Sequence, residues 1–84
     1  KKMKTILEVS LQEASKAKDA IRYSLLRTEL NQTSTNVWEL PTYDMNDGYE
    51  CDGDEELKDE IRELFSSFGI AEEEYSFTDK ETEE

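Results

Sequence analysis

The chain has 84 residues and a formal net charge of −12, which leaves room for one domain with a small core. It contains no histidine, so the commonest general base and transition-metal ligand is missing, and a chain of this length has little spare volume for an enclosed active site. We therefore expect a non-enzymatic protein that uses no cofactor.

The first elements in chain order are predicted to be a strand and a long helix. The segment Lys4–Val9 is rich in aliphatic and β-branched residues, which is typical of a strand. Ser10 and Glu13 have the spacing of a capping box, so we expect a helix from Leu11 to about Leu30. Its apolar residues recur at three- and four-residue spacing and are Leu11, Ala14, Ala17, Ile21 and Leu25.

A loop and a second strand are predicted next. Residues 31–36 contain no apolar side chain and several turn formers, which favours a loop. Val37–Tyr43 predicts a strand with Trp38 and Leu40 on one face, and Pro41 restricts its end to an edge or a bulge because proline has no amide to donate. An edge strand here could pair with a second copy, so we expect a monomer or a dimer.

A turn and the second helix follow. The turn formers Asp44–Gly48 predict a hairpin that returns as a short third strand, Tyr49–Cys51. Asp54 is placed to cap a helix, and Gly69 is placed to end it in a left-handed conformation. The buried face of that helix is predicted to comprise Leu57, Ile61, Leu64, Phe65 and Phe68.

The last predicted element is a strand. Glu74–Thr78 should point Tyr75 and Phe77 inward, and residues 79–84 should form a flexible acidic tail. The order βα(ββ)αβ predicts a single α+β domain over residues 1–84, a small sandwich in which two helices cover one face of an antiparallel or mixed sheet.

The negative charge is concentrated in the second half of the chain. Residues 1–43 carry seven basic and five acidic side chains, a net of +2, whereas residues 44–84 carry three and seventeen, a net of −14. So many uncompensated charges cost self-repulsion that solubility alone does not require. The candidate partner-binding residues are Asp44, Asp47, Tyr49, Glu50, Asp52, Asp54, Glu55, Glu56, Asp59, Glu60, Glu63, Glu72, Glu73 and Glu74.

The acids of the second helix match DNA in linear charge density. From Glu55 to Glu63 the helix rises about 12 Å, a length over which one DNA strand presents about three or four phosphates. On the acidic helix Asp54–Glu63 and the acidic stretch Glu72–Glu84, the chain resembles phage and mobile-element proteins that mimic DNA, including anti-CRISPR and anti-restriction inhibitors. The resemblance implies a basic nucleic-acid-binding protein as partner, such as a CRISPR effector or other nuclease, and no direct contact with nucleic acid.

Other interpretations remain open at this point. The acids could be solvated surface that serves solubility alone, or could neutralise a basic toxin as an antitoxin or immunity protein does. An adaptor subunit could instead bind through Trp38 and Tyr43. The oxygen-rich turn before the second helix invites weak calcium binding, but it fails the EF-hand pattern. With Asp52 as the first position, Leu57 stands where the glycine is required, and with Gly53 as that glycine the first position is Gly48, so we assign no metal site.

The sequence also predicts a cytoplasmic protein. No apolar run reaches the roughly 18 residues of a membrane span, and the residues after Met3 lack the apolar region of a signal peptide. The single Cys51 cannot form an internal disulfide, which is typical of a reducing compartment.

Overall fold

The structure is a computed structural model that describes residues 2–44 and 55–81. Its elements, in chain order, are β1 (Lys2–Val9), α1 (Ala14–Arg22), a first 3₁₀ helix (Leu25–Thr28), β2 (Asn31–Ser34), β3 (Val37–Glu39), β4 (Tyr43–Asp44), α2 (Glu55–Ser67), a second 3₁₀ helix (Glu72–Glu74) and β5 (Tyr75–Glu81).

All strand pairs of the sheet are antiparallel, and β1 lies in the middle. β5 pairs with β1 from Met3 to Val9 along one edge. Since Met3 pairs with both Tyr43 and Glu81, β4 must lie on the opposite edge of β1, where it follows β3. β2 pairs with β3 and forms the outer strand on that side. The predicted α+β class with an antiparallel sheet is confirmed.

The core lies between the sheet and the two helices. Leu7 and Val9 of β1 are fully buried, and because side chains alternate along a strand they share a face with Thr5. Both helices contribute to the same cluster, with Ala17 and Ile21 from α1 and with residues from α2. The helix-facing side chains of α2 in this cluster are Leu57, Ile61 and Phe65. One continuous core therefore fixes the orientation of α2.

The first helix is shorter than predicted, and its predicted capping box is wrong. Glu13 occupies the N-cap position without a side-chain cap, while the Ser10 hydroxyl donates a hydrogen bond to Glu74 over 2.6 Å. α1 ends at Arg22, and Ser24 then adopts an extended conformation in which its hydroxyl accepts from the Leu26 amide. This break turns Leu25 outward, away from the core in which the sequence pattern placed it.

The polar run predicted as a loop contains strand β2. Backbone pairing with β3 stabilises Asn31–Ser34 although all four of its side chains are exposed. The predicted strand Val37–Tyr43 is divided into β3 and β4, because Pro41 cannot donate to a ladder. The Leu40 amide beside it still donates to the Thr5 carbonyl over 3.0 Å.

The prediction of a flexible tail over residues 79–84 is wrong for residues 79–81. β5 continues to Glu81, with Asp79 opposite Thr5 and Glu81 opposite Met3, so residues 79–81 are paired strand rather than a flexible tail. Residues 82–84 and the predicted strand Tyr49–Cys51 lie outside the described residues.

The glycine cap of α2 is confirmed and gives a stability prediction. Gly69 has φ +77°, and the Ile70 amide donates to the Phe65 carbonyl over 2.9 Å, as in a Schellman motif. Gly69→Ala should lower the free energy of unfolding by about 1–2 kcal/mol, which is the cost of the left-handed conformation for a residue with a Cβ. No steric clash adds to this cost, because no atom lies within 4 Å of the added Cβ. Urea denaturation measures the loss. Ser66→Ala, in the last turn of α2, is the control, and an equal loss there would contradict the dihedral explanation.

Candidate partner-binding surface

The side of α2 that faces β5 carries its two basic residues. Lys58 is buried, with its ammonium 5.9 Å from the centre of the Phe77 ring, and the Arg62 guanidinium lies 5.3 Å from the same ring. These cation–π contacts hold both positive charges of the helix on the side that faces β5. The acids therefore occupy the remaining, solvent-facing part of α2.

Two of those acids are paired with the basic residues. Glu55 lies 3.5 Å from the Lys58 ammonium, and Asp59 lies 2.6 Å from the Arg62 guanidinium. Lys58 is also 3.7 Å from Asp79 of β5. The exposed pair of Asp59 and Arg62 adds little stability, but together these pairs neutralise the charge on this flank of α2.

The other three acids of α2 form what we call the acidic row: Glu56, Glu60 and Glu63. All three are exposed, and none has an ion-pair partner in the part of the chain that the structure describes. Residues three and four apart on a helix have Cβ atoms about 5–6 Å from each other. The acidic row is thus a short, rigid line of uncompensated charge along α2.

An exposed leucine lies next to the acidic row. Glu60, Glu63 and Leu64 line one side of an open cavity of about 360 Å³, and Leu25 and Leu26 of the first 3₁₀ helix line the other. The Leu25 side chain is 84% exposed. The periodic pattern had assigned Leu25 to the core, so the sequence did not predict its exposure.

The second 3₁₀ helix presents a further set of acids, which differ in their surroundings. Glu72 and Glu73 are exposed. Glu74 is partly buried, and its carboxylate accepts hydrogen bonds from the Ser10 hydroxyl over 2.6 Å and from the Gln12 amide over 3.0 Å. These two bonds lower the pKa of Glu74 below its ordinary value. Glu74 therefore ties the second 3₁₀ helix to the segment before α1, and only its two neighbours present free carboxylates.

The lowered pKa of Glu74 gives a pH prediction. Glu74→Gln should destabilise the fold above pH 4.5, the ordinary pKa of this carboxyl, where the charged form holds both donors. Because the folded-state pKa lies below the unfolded one, this contribution is lost as the pH falls through the folded-state pKa. Melting temperatures of the two proteins, measured from pH 7 to pH 3, should converge in acid. Glu73→Gln is the matched control, and the same convergence for Glu73→Gln would contradict the explanation.

The remaining predicted contacts fall into three groups. Asp44 lies in β4, where its backbone is opposite that of Lys2 in the antiparallel pairing with β1. Trp38 is only 2% exposed, so the expectation that an adaptor contact uses its side chain is wrong: the indole is packed in the core. The predicted contact residues that lie outside the described residues are Asp47, Tyr49, Glu50, Asp52 and Asp54.

The described ranges, 2–44 and 55–81, hold no cluster of three or more side chains suited to ligating a metal ion. No helix within them has the length and apolar character needed to cross a membrane. Comparisons with protein-family models, with curated proteins and with solved structures gave no significant match.

Proposed function

We propose that this protein is a non-enzymatic inhibitor that binds the basic groove of a nuclease or other DNA-binding protein, with its carboxylates in the place of DNA phosphates. The observation that carries the proposal is the acidic row. Glu56, Glu60 and Glu63 are exposed and uncompensated among the described residues, on a helix whose opposite side is locked into the core.

The rigidity of α2 supports this mode of binding. Ile61 and Phe65 are fully buried one and two residues from members of the acidic row, so the helix backbone that carries the three glutamates is held in place before the partner arrives. Preorganisation of this kind reduces the entropy lost on binding. Like charges held together also repel one another in the free protein, and a cationic groove relieves that repulsion.

The charge should govern the rate of association. Opposite net charges steer two proteins together, and salt weakens the effect with a Debye length of about 8 Å at physiological ionic strength. The blocking would be stoichiometric, since occupation of the groove excludes nucleic acid. We place this activity in the cytoplasm, where the proposed targets handle DNA.

A second function is favoured by Leu25. A DNA backbone offers nothing apolar, whereas an apolar pocket on a partner protein would bury the exposed Leu25 side chain that lies beside the carboxylates. This arrangement fits an antitoxin or immunity protein that neutralises a basic toxin without imitating DNA. The two functions differ in whether DNA competes for the partner.

The test is to immobilise the protein, load it with cell lysate and elute first with double-stranded DNA at low salt and then with high salt. The proposal predicts that DNA releases basic nucleic-acid-binding proteins, because both ligands use one groove. Release by salt but not by DNA would contradict DNA mimicry and favour the antitoxin function. The control column carries the chain with Glu56, Glu60 and Glu63 changed to lysine. If this column retained the same lysate proteins in equal amounts, both functions would be contradicted.

A further inference from the structure

A groove with positively charged side chains, opposite in sign to the acidic row, runs between α1 and β2. Its wider end, about 570 Å³, is lined by Leu11 and Lys18 on the α1 side and by Thr33 on the β2 side, among others. Its narrower end, about 250 Å³, is lined by three cations and by the apolar residues Ile21, Leu30 and Trp38, among others. Lys18 and Gln32 line both ends, so the two form one groove, along which α1 and β2 run in opposite directions.

The groove gathers cations that lack acidic partners. Lys18, Arg22 and Arg27 all line its narrower end. None of the three has an ion-pair partner within the described ranges, whereas Lys4, Lys16, Lys58 and Arg62 all do. Arg22 lies over the Tyr23 ring, and Arg27 donates to the Ser24 carbonyl. In a chain of net charge −12, a local excess of positive charge at one groove favours an anionic group there.

The other wall of the groove is a strand edge. β2 pairs with β3 on one side, and no strand of the described residues pairs with its other side. An open edge presents unpaired amides and carbonyls, which an extended peptide can satisfy by adding a strand. Leu11, which the apolar pattern had placed in the core, is 75% exposed and supplies apolar surface above that edge.

From this juxtaposition we propose that the α1–β2 groove binds an extended peptide of a partner protein, which adds a strand to β2 and places a carboxylate against Lys18, Arg22 and Arg27. The dimensions agree: α1, with nine residues, is about 13 Å long, and the four residues of β2 extend about 13 Å. The groove therefore accommodates about four peptide residues. This site is separate from the acidic row and does not depend on the function proposed for it.

A peptide fits the groove better than a nucleic acid does. Only a polypeptide backbone matches the alternating donors and acceptors of a strand edge. A polyphosphate would be repelled by the net charge of −12 over its whole length, whereas a peptide with one or two carboxylates brings few charges. The apolar surface of Leu11 would also contact an aliphatic side chain of the peptide.

The probe for the test is a hexapeptide of alternating valine and threonine in which one threonine is replaced by glutamate. It is acetylated and amidated at its ends, so that it carries a single carboxylate, and is added to the full ¹⁵N-labelled chain. Amide shift changes should centre on residues 31–35 and on Lys18. Lys18→Glu and Arg22→Glu should each weaken binding about tenfold, as expected when attraction becomes repulsion at one contact. Lys80→Glu is the matched control, because Lys80 is an exposed cation of β5 that does not line the groove, and it should bind like the unmodified protein.

Three results would overturn the proposal. Equal binding of a hexapeptide N-methylated at alternate amides would exclude strand addition. Tighter binding of a thymidine decamer at the same residues would assign the groove to nucleic acid. Concentration-dependent dimers in sedimentation, lost in the Lys18→Glu variant, would assign it to a second copy of the chain.

Discussion

Changing Glu56, Glu60 and Glu63 together to lysine should weaken competition with DNA for a basic partner about 100-fold. Each reversal removes an attraction of about 1 kcal/mol or less and adds a repulsion, and about 3 kcal/mol in total corresponds to roughly two orders of magnitude. The fold should be retained because all three side chains are exposed. The measurement is inhibition of DNA binding in a fluorescence-anisotropy titration at low salt.

The matched control reverses three exposed acids elsewhere: Glu8, Asp19 and Glu29. Three reversals add six charges, so both variants change the net charge from −12 to −6. The control should compete nearly as well as the unmodified protein, because its changes lie away from the acidic row. If the two variants lost competition equally, total charge rather than the position of the charges on α2 would explain inhibition.

Phe65→Ala should be the most destabilising single substitution in α2, with a loss of about 3–5 kcal/mol in the free energy of unfolding. Phe65 is fully buried, and its ring meets the Tyr75 ring edge-on at 4.9 Å. The substitution leaves a cavity at the contact that joins α2 to β5. Since small domains are stable by only about 5–15 kcal/mol, the variant should be partly unfolded at 37 °C.

Urea denaturation followed by circular dichroism measures this loss. Phe68→Ala removes the same ring from a position that is 39% exposed, and it should lower the free energy of unfolding by less than about 1.5 kcal/mol. Similar losses for the two variants would contradict the burial pattern on which the orientation of the acidic row depends.

The parts of the fold that sequence reasoning predicted are those that local patterns determine. β1 contains a short run of aliphatic and β-branched residues, α2 carries a strong apolar periodicity, and Gly69 has the position and the positive φ of a helix cap. The buried face of α2 was predicted correctly for Leu57, Ile61 and Phe65 but wrongly for Phe68, which is 39% exposed after the last turn of the helix. Where the predictions hold, local preference and tertiary packing agree.

The parts that could not be predicted depend on contacts between distant residues. β2 has no apolar pattern, and only pairing with β3 makes it a strand. Ser10 and Glu13 have the spacing of a capping box, but Glu74, far along the sequence, takes the Ser10 hydroxyl instead. Leu25 continued the apolar period of α1, yet the helix ends before reaching it.

The acidic row and the α1–β2 groove also depend on contacts between distant residues. Sequence reasoning identified the acids of α2 but not their division, which depends on Lys58 and Arg62 lying over Phe77 and pairing with the acids on that flank. The basic groove was not predicted at all, since its cations are spread between Lys18 and Arg27 and their common location appears only once β2 is placed beside α1.

The most direct test of the acidic row as the contact surface is zero-length carbodiimide crosslinking of the chain to a partner that DNA displaces. This chemistry joins carboxylates to lysines in direct contact, and mass spectrometry locates the joined residues. Crosslinks should concentrate on Glu56, Glu60 and Glu63. Crosslinks confined to acids of the first half, such as Glu8, Asp19 and Glu29, would contradict the account.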